Sequence, residues 1–286
     1  MRRMFFLTLV VAGILFLSAA AFGGAAGPRP DPSRPPEPAG APLVQSGFRL
    51  FLPSLAYVQP PACDPIPGQS YEAIHIQEDT KPTTSPPAEQ HPDINALAVR
   101  GYVLTNAPKT LVNYGGEADL TAPQLYTMFL DSRVPQFPNV YQVYDWNWAT
   151  NSRGGLIATW PVTLLGMGTG RGEVLQLPAR YNGAPDIYQG TYWALVLYAS
   201  TERITFVYTR YDTVAYGYTI HVEGVCVEPG LLNLYRQQNA AGRWYLPALK
   251  WQQPFGRANG SEIKVAIRDT GSFMDPRSRK DWWQGR

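Results

Sequence analysis

With 286 residues, 45% of them hydrophobic and 13% aromatic, the chain carries enough apolar material for a sizeable core, which excludes a wholly disordered protein. Its 24 lysines and arginines nearly balance 22 aspartates and glutamates, and charged residues make up only 16%. Nucleic-acid binding rests largely on phosphate neutralisation by an excess of basic groups, so a nucleic-acid partner is not expected.

The chain opens with Met1, Arg2 and Arg3, an apolar run over 4–22, and then Gly23, Gly24, Ala25 and Ala26. Charged, apolar and small residues in that order make a secretory signal, so residues 1–26 are expected to be a signal peptide or a retained membrane anchor. The apolar run, about 19 residues, is near the lower length that spans a bilayer. The protein is therefore expected to be secreted or extracytoplasmic, meeting a membrane only through this segment if it is uncleaved. Without Arg2 and Arg3 the remaining charges balance. Residues 27–47 follow as a linker in which Pro28, Pro30, Pro32, Pro35, Pro36, Pro38 and Pro42 prevent helix or sheet and favour an extended polyproline II spacer.

Residues 48–138 read as an N-terminal β-rich region. The run 48–58 is apolar but broken by Pro53, as in an edge strand or docking segment. Strands are expected at 71–76 and 98–104. Thr121, Ala122, Pro123 and Gln124 stand in capping-box order before Leu125, Met128 and Phe129, which predicts a helix.

Residues 139–286 read as a β-rich domain, with β-prone runs at 140–146, 155–160, 173–177, 192–198, 203–209, 216–222 and 263–267 punctuated by glycine and proline. That pattern predicts a mainly β fold, an antiparallel sandwich or barrel with one or two short helices. The connection 199–202 reads as a hairpin. Alternation from Tyr216 puts Tyr218, Ile220 and Val222 on a buried face and Thr219, His221 and Glu223 on a polar one. A helix is expected over 229–239, with Pro229 in its first turn and Leu231, Leu234 and Tyr235 on its apolar side. The glycine-rich stretch 166–172 reads as a turn, because strand rather than helix follows it and no helix N-terminus is there to hold a phosphate.

Two cysteines, Cys63 and Cys226, form one disulfide in an exported chain, or else two separately buried thiols. Three histidines restrict histidine chemistry. His91 precedes a proline, and His75 has no acidic or cysteine partner at metal-ligand spacing. His221 and Glu223 share a strand face, as two legs of a metal site, an acid–base pair, or simply a histidine hydrogen-bonded on a polar sheet face. Serine-nucleophile, phosphate-loop and paired C-x-x-C signatures are missing, and no cofactor or metal is expected. Asp145, Trp146, Asn147 and Trp148 alternate polar and aromatic residues, which suits a sugar ring that stacks through its C–H face and hydrogen-bonds through its hydroxyls; core tryptophans are the plainer alternative. The ending 275–286 is basic and aromatic, either a surface for anionic polymers or a tail that packs Trp282 and Trp283.

Leu246 to Gly256, then Glu262 to Arg268, then Gly271 to Pro276 resemble the end of lysostaphin-type zinc endopeptidases, with Gln253, Phe255, Gly256, Asp275 and Pro276 fitting the order of that family's motifs. Upstream, Tyr141 to Asp145 falls where the family has H-x-x-x-D, and Asp145 matches the aspartate ligand. Tyr141 stands at the first histidine position, however, and Glu262 and Lys264 at the two positions of H-x-H. Two histidines and an aspartate hold the family's zinc, so the resemblance implies a degenerate peptidase-like scaffold without peptidase chemistry.

The expected function is a non-catalytic extracytoplasmic protein that binds a cell-envelope glycan, peptide or partner protein. The alternative is a hydrolase of cell-wall or extracellular polymer that uses carboxylates such as Asp145 and Glu223.

Overall fold

The β-prone runs pair into antiparallel ladders in a computed structural model that describes residues 63–77 and 86–286. The leader, the proline linker and the run 48–58 lie outside the described residues. The strands are β1 (Glu72–His75), β2 (Tyr102–Leu104), β3 (Val140–Asn147), β4 (Ser152–Leu156), β5 (Leu164–Gly168), β6 (Val174–Gln176) and β7 (Tyr192–Ala199). They continue as β8 (Arg203–Val207), β9 (Tyr218–Glu223), β10 (Val225–Val227), β11 (Tyr245–Lys250), β12 (Pro254–Ala258), β13 (Glu262–Asp269) and β14 (Ser272–Phe273). Helices are few and short: α1 (Ala96–Arg100), α2 (Pro229–Ala240) and α3 (Arg279–Trp282).

The larger sheet runs β1-β11-β7-β8-β9-β13-β5-β3-β2, with β14 added to β13 and β4 to β3; the smaller runs β10-β12-β6. The fold is thus mainly β and sandwich-like, as its alternating sequence predicts. β1 and β2 come from the region 48–138 and pair with β11 and β3 of the region 139–286. All described residues belong to a unit spanning Val58–Arg286.

Period-two alternation gives the larger sheet two unlike faces. Ile263, Val265 and Ile267 of β13 join Ile220 and Val222 of β9, Leu165 and Met167 of β5, and Phe255 of β12 in the main core. Fully burying such side chains stabilises by about 1.5–3 kcal/mol each. The opposite face holds a smaller core, in which Ala96 and Leu97 of α1 cover Tyr141, Val143, Leu164, Ala266 and Phe273. The face of β9 expected to be polar and open is instead buried along its length, because α1 and the adjoining strands cover it.

Several expected elements take another form. Residues 98–100 are helical, and Gly101 (φ +77°) ends the helix and launches β2. Burial of Ala96 and Leu97, together with the reach of Arg100 back to Pro92, overrides the β-propensity of the run. The expected helix after Thr121 is only a 3-10 turn, Leu125–Met128. There Asp119, not Thr121, makes the local cap, while Gln124 bridges to Ala179 and its side chain reaches Ala122 and Asp281. The strand expected at 155–160 lies earlier, as β4. The glycines read as a turn lie partly in β5, and the turn itself comes later, where Glu173 N–H donates to the Gly170 carbonyl. In α2, Glu228 caps Leu231 N–H at 2.9 Å, and Leu232 rather than Leu234 is buried beside Leu231 and Tyr235.

Cys63 and Cys226 are disulfide-bonded, with Cα atoms 5.7 Å apart, which fastens the entrance of the described chain to β10. The C-terminal tail packs rather than projects: Trp282 and Trp283 are buried and donate to the carbonyls of Asp275 and Pro276 at 2.9 and 2.8 Å.

Candidate functional site

The second face of the larger sheet carries two groups of polar side chains on either side of its small core. At one end, Tyr141 Oη donates to Glu262 Oε1 at 2.8 Å and Asn139 Nδ2 to Glu262 Oε2 at 2.6 Å. Tyr102 Oη donates to Glu223 at 3.0 Å, and Arg203 pairs with the same carboxylate at 3.1 Å. Lys264 Nζ lies over both tyrosine rings, 5.7 Å from the centroid of Tyr141 and 5.8 Å from that of Tyr102. Gly166 makes this possible: a β-carbon there would stand 2.5 Å from Glu262 Oε1 and 2.8 Å from the Asn139 carbonyl. Burial, then the neighbouring carboxylate, pushes both phenols upward, so they remain donors. A tyrosine–carboxylate network of this kind holds the sheet face together.

At the other end lies a cleft of about 740 Å3. Its floor is two guanidiniums. Arg100 ends α1 and Arg268 lies near the end of β13, and their side chains are only 4% and 5% exposed. Asp93 joins them: its Oδ1 accepts from Arg100 Nη2 and, at 3.2 Å, from Arg268 Nη2, while its carbonyl accepts from Arg268 Nη1 at 3.2 Å. Phe273 lies beneath both, 5.7 Å from Arg100 Cζ and 4.7 Å from Arg268 Cζ. Burial, and Arg100 beside it, hold Arg268 down to about 10 against the opposing pull of Asp93, so it stays cationic at neutral pH. Asp145 caps the floor from outside, accepting from Arg100 Nη1 at 2.9 Å with its own side chain 66% exposed. Trp148 and Trp160 line the cleft above.

Aromatic walls over a charged floor, within the usual volume of a small-molecule site, make this cleft the candidate site. Arg268 is fully engaged by Asp93 and the Gly271 carbonyl, whereas Arg100 Nη1, whose partner Asp145 is exposed, fits a carboxylate, phosphate or hydroxyl oxygen, and the tryptophans fit the apolar face of a ring. Among the described residues no group of three or more His, Cys, Asp or Glu side chains converges to hold a metal ion, and no helix is long and apolar enough to cross a membrane.

The residues singled out in the sequence are divided between these sites. Asp145 and Trp148 line the cleft, but Asn147 is engaged in the turn after β3, accepting from Ala149 N–H at 3.0 Å, and Trp146 does not line it. Of the four positions aligned with the zinc site, Tyr141, Glu262 and Lys264 converge, whereas Asp145 lies four residues farther along β3, about 13 Å by strand rise, and pairs with Arg100. Asp145 and Glu223 are likewise apart, one in the cleft and the other with Tyr102 and Arg203. His221 and Glu223 form no acid–base pair: His221 Nδ1 shares a hydrogen bond with the Thr205 hydroxyl at 2.9 Å, its ring is 2% exposed, and burial with flanking Arg268 and Arg100 pushes its pKa well below the ordinary value. Sequence reasoning missed Asp93, Arg100 and Arg268. Arg268, closing an apolar strand run, carried the one visible signal.

The fold is that of a sandwich-like β protein with an arginine-floored cleft. Comparison with protein-family models, with curated proteins and with solved structures found no match.

Proposed function

We propose that the chain is an extracytoplasmic binding protein whose cleft takes a glycan of the cell envelope, without chemistry of its own. The observation that carries this reading is the pairing of Trp148 and Trp160 with a preorganised floor of Arg100, Arg268 and Asp93 in one cleft. Rings that cover a sugar face beside fixed donors and acceptors are what saccharide recognition requires. The signal-like N-terminus and proline linker support an envelope location. The tyrosine, glutamate and lysine at the zinc-like positions support a scaffold without peptidase activity.

Purified protein incubated with wall glycan and pelleted is expected to be retained, and Trp148→Ala to lose that retention. Trp244→Ala, which alters a comparably exposed tryptophan outside the cleft, is expected to keep it. No retention above a resin control, or equal loss in both variants, removes the proposal. A hydrolase of the same polymer is the competing reading, favoured by the presence of both Asp93 and Asp145 in the cleft. New reducing ends released by the wild type but not by Asp145→Asn would establish it instead.

A further inference from the structure

The charges of the cleft floor are unequal in depth. Two guanidiniums are almost wholly buried, and one carboxylate, Asp93, is bonded to both. The second carboxylate is different. Asp145 sits where the pairing of β3 with β4 shifts register, and Asp145 Oδ1 also accepts the Trp146 N–H at 2.8 Å. A side chain 66% exposed has room to turn outward, and the water around it screens its pair with Arg100, whose own side chain is only 4% exposed. If Asp145 left without a substitute, a buried floor of two cations would face a single carboxylate, an arrangement that desolvation penalises. A ligand that supplies a carboxylate at the same point relieves that imbalance. Trp148, which lines the cleft beside Asp145, would then meet the ring bearing the carboxylate.

We infer that the cleft is selective for an acidic glycan, and that Asp145 is an internal stand-in for the carboxylate of a uronic-acid unit, displaced from Arg100 Nη1 when such a sugar binds. This inference rests on the glycan reading above and narrows it. Asp93 remains the fixed inner counter-ion, because three hydrogen bonds from Arg100 and Arg268 hold it. The exchange replaces one carboxylate on Arg100 by another, so binding leaves the floor's charge balance unchanged. A neutral sugar gains nothing from it. A phosphate-bearing polymer shares the negative charge, so the titration must separate it from a carboxylate.

The test is calorimetric titration of the full chain with a galacturonic-acid tetramer, a neutral glucose tetramer and glycerol phosphate at low salt, repeated with Asp145→Asn. The asparagine keeps an oxygen for the Trp146 N–H but removes the competing charge. The wild type is expected to prefer the acidic tetramer over both other probes, and that preference should weaken as salt rises. Asp145→Asn is expected to raise the acidic-to-neutral preference about two- to fivefold. Equal affinity for the acidic and neutral tetramers, unchanged by Asp145→Asn, overturns the acidic selectivity while leaving the glycan reading intact. Weaker acidic binding in Asp145→Asn also overturns it, since Asp145 would then contact the ligand rather than stand in for it. Tighter binding of glycerol phosphate than of galacturonate overturns the carboxylate assignment, and failure of every saccharide to bind removes both readings.

Discussion

Mild acid should destabilise this protein through His221. The ring is 2% exposed, stacks on Phe273 at 6.1 Å, and shares its Nδ1 with the Thr205 hydroxyl, while Nε2 has no hydrogen-bond partner. Protonation would place a second donor on that unpartnered nitrogen and a positive charge between Arg268 and Arg100. Burial first, and those guanidiniums second, therefore hold the folded-state pKa well below the ordinary value near 6.5. A depressed folded-state pKa gives stability that is complete above the unfolded value and is lost as pH falls below it toward the folded one. The slope reaches about 1.4 kcal/mol per pH unit only well below 6.5, so lowering pH from 6.5 to 5.0 should remove up to about 1.7 kcal/mol through this residue. Urea unfolding at pH 6.5, 6.0 and 5.0 measures it, with His221→Gln as the comparison. The variant should lose less over the same interval, by up to about 1.7 kcal/mol. His91, also pushed down by burial, titrates in both proteins and cancels in the difference. An acid slope as steep in His221→Gln as in the wild type would mean that His221 does not carry the acid sensitivity.

Gly166→Ala should destabilise by about 2–4 kcal/mol, because its β-carbon would meet the Asn139 backbone carbonyl and displace the Glu262 carboxylate from Tyr141 and Asn139; an unfolding midpoint within error of wild type contradicts that. Removing the disulfide with Cys63→Ser and Cys226→Ser releases a link across 163 residues and should cost about 2–5 kcal/mol, measured as the difference in unfolding free energy without reductant. Asp212→Asn should cost about 3–5 kcal/mol, because it removes the charge of the carboxylate that, among the described residues, pairs with the buried Arg243, whose Nη2 lies 2.5 Å from Asp212; a loss under 1 kcal/mol in chemical denaturation would show that the Leu197 carbonyl and Asn239 suffice for that guanidinium.

Strands whose side chains alternate between one apolar face and another were legible in the sequence. The runs around Tyr192 and Arg203 and the hairpin between them emerge as β7, β8 and the Ser200–Arg203 hydrogen bond at 2.9 Å. β5 was hidden because its glycines resemble turn residues, although Gly166 exists to let Glu262 lie across the strand and Gly168 to admit the Gln136 carbonyl, 3.2 Å from where a β-carbon would be. β11 was hidden by Pro247, which is tolerated opposite Ala73. The cleft was half legible. Asp145 and Trp148 stood out by local pattern, but their partners come from positions as distant as Asp93 and Arg268, and no spacing along the chain reveals that β13 carries an arginine to the end of α1. Of the positions the resemblance set together, Tyr141, Glu262 and Lys264 are neighbours in a network where Glu262 accepts from Tyr141 and Asn139, whereas Asp145 is apart with Arg100.

The central claim, a saccharide site walled by tryptophan, is tested most directly by following the indole N–H signals of uniformly 15N-labelled protein during titration with soluble wall oligosaccharides, assigned with Trp148→Phe and Trp160→Phe. Trp148 and Trp160, which line the cleft, should shift progressively and saturably, while Trp282 and Trp283, buried within the packed C-terminal tail, should stay in place. Stationary Trp148 and Trp160 signals at saturating oligosaccharide, or shifts confined to tryptophans outside the cleft, would contradict the account.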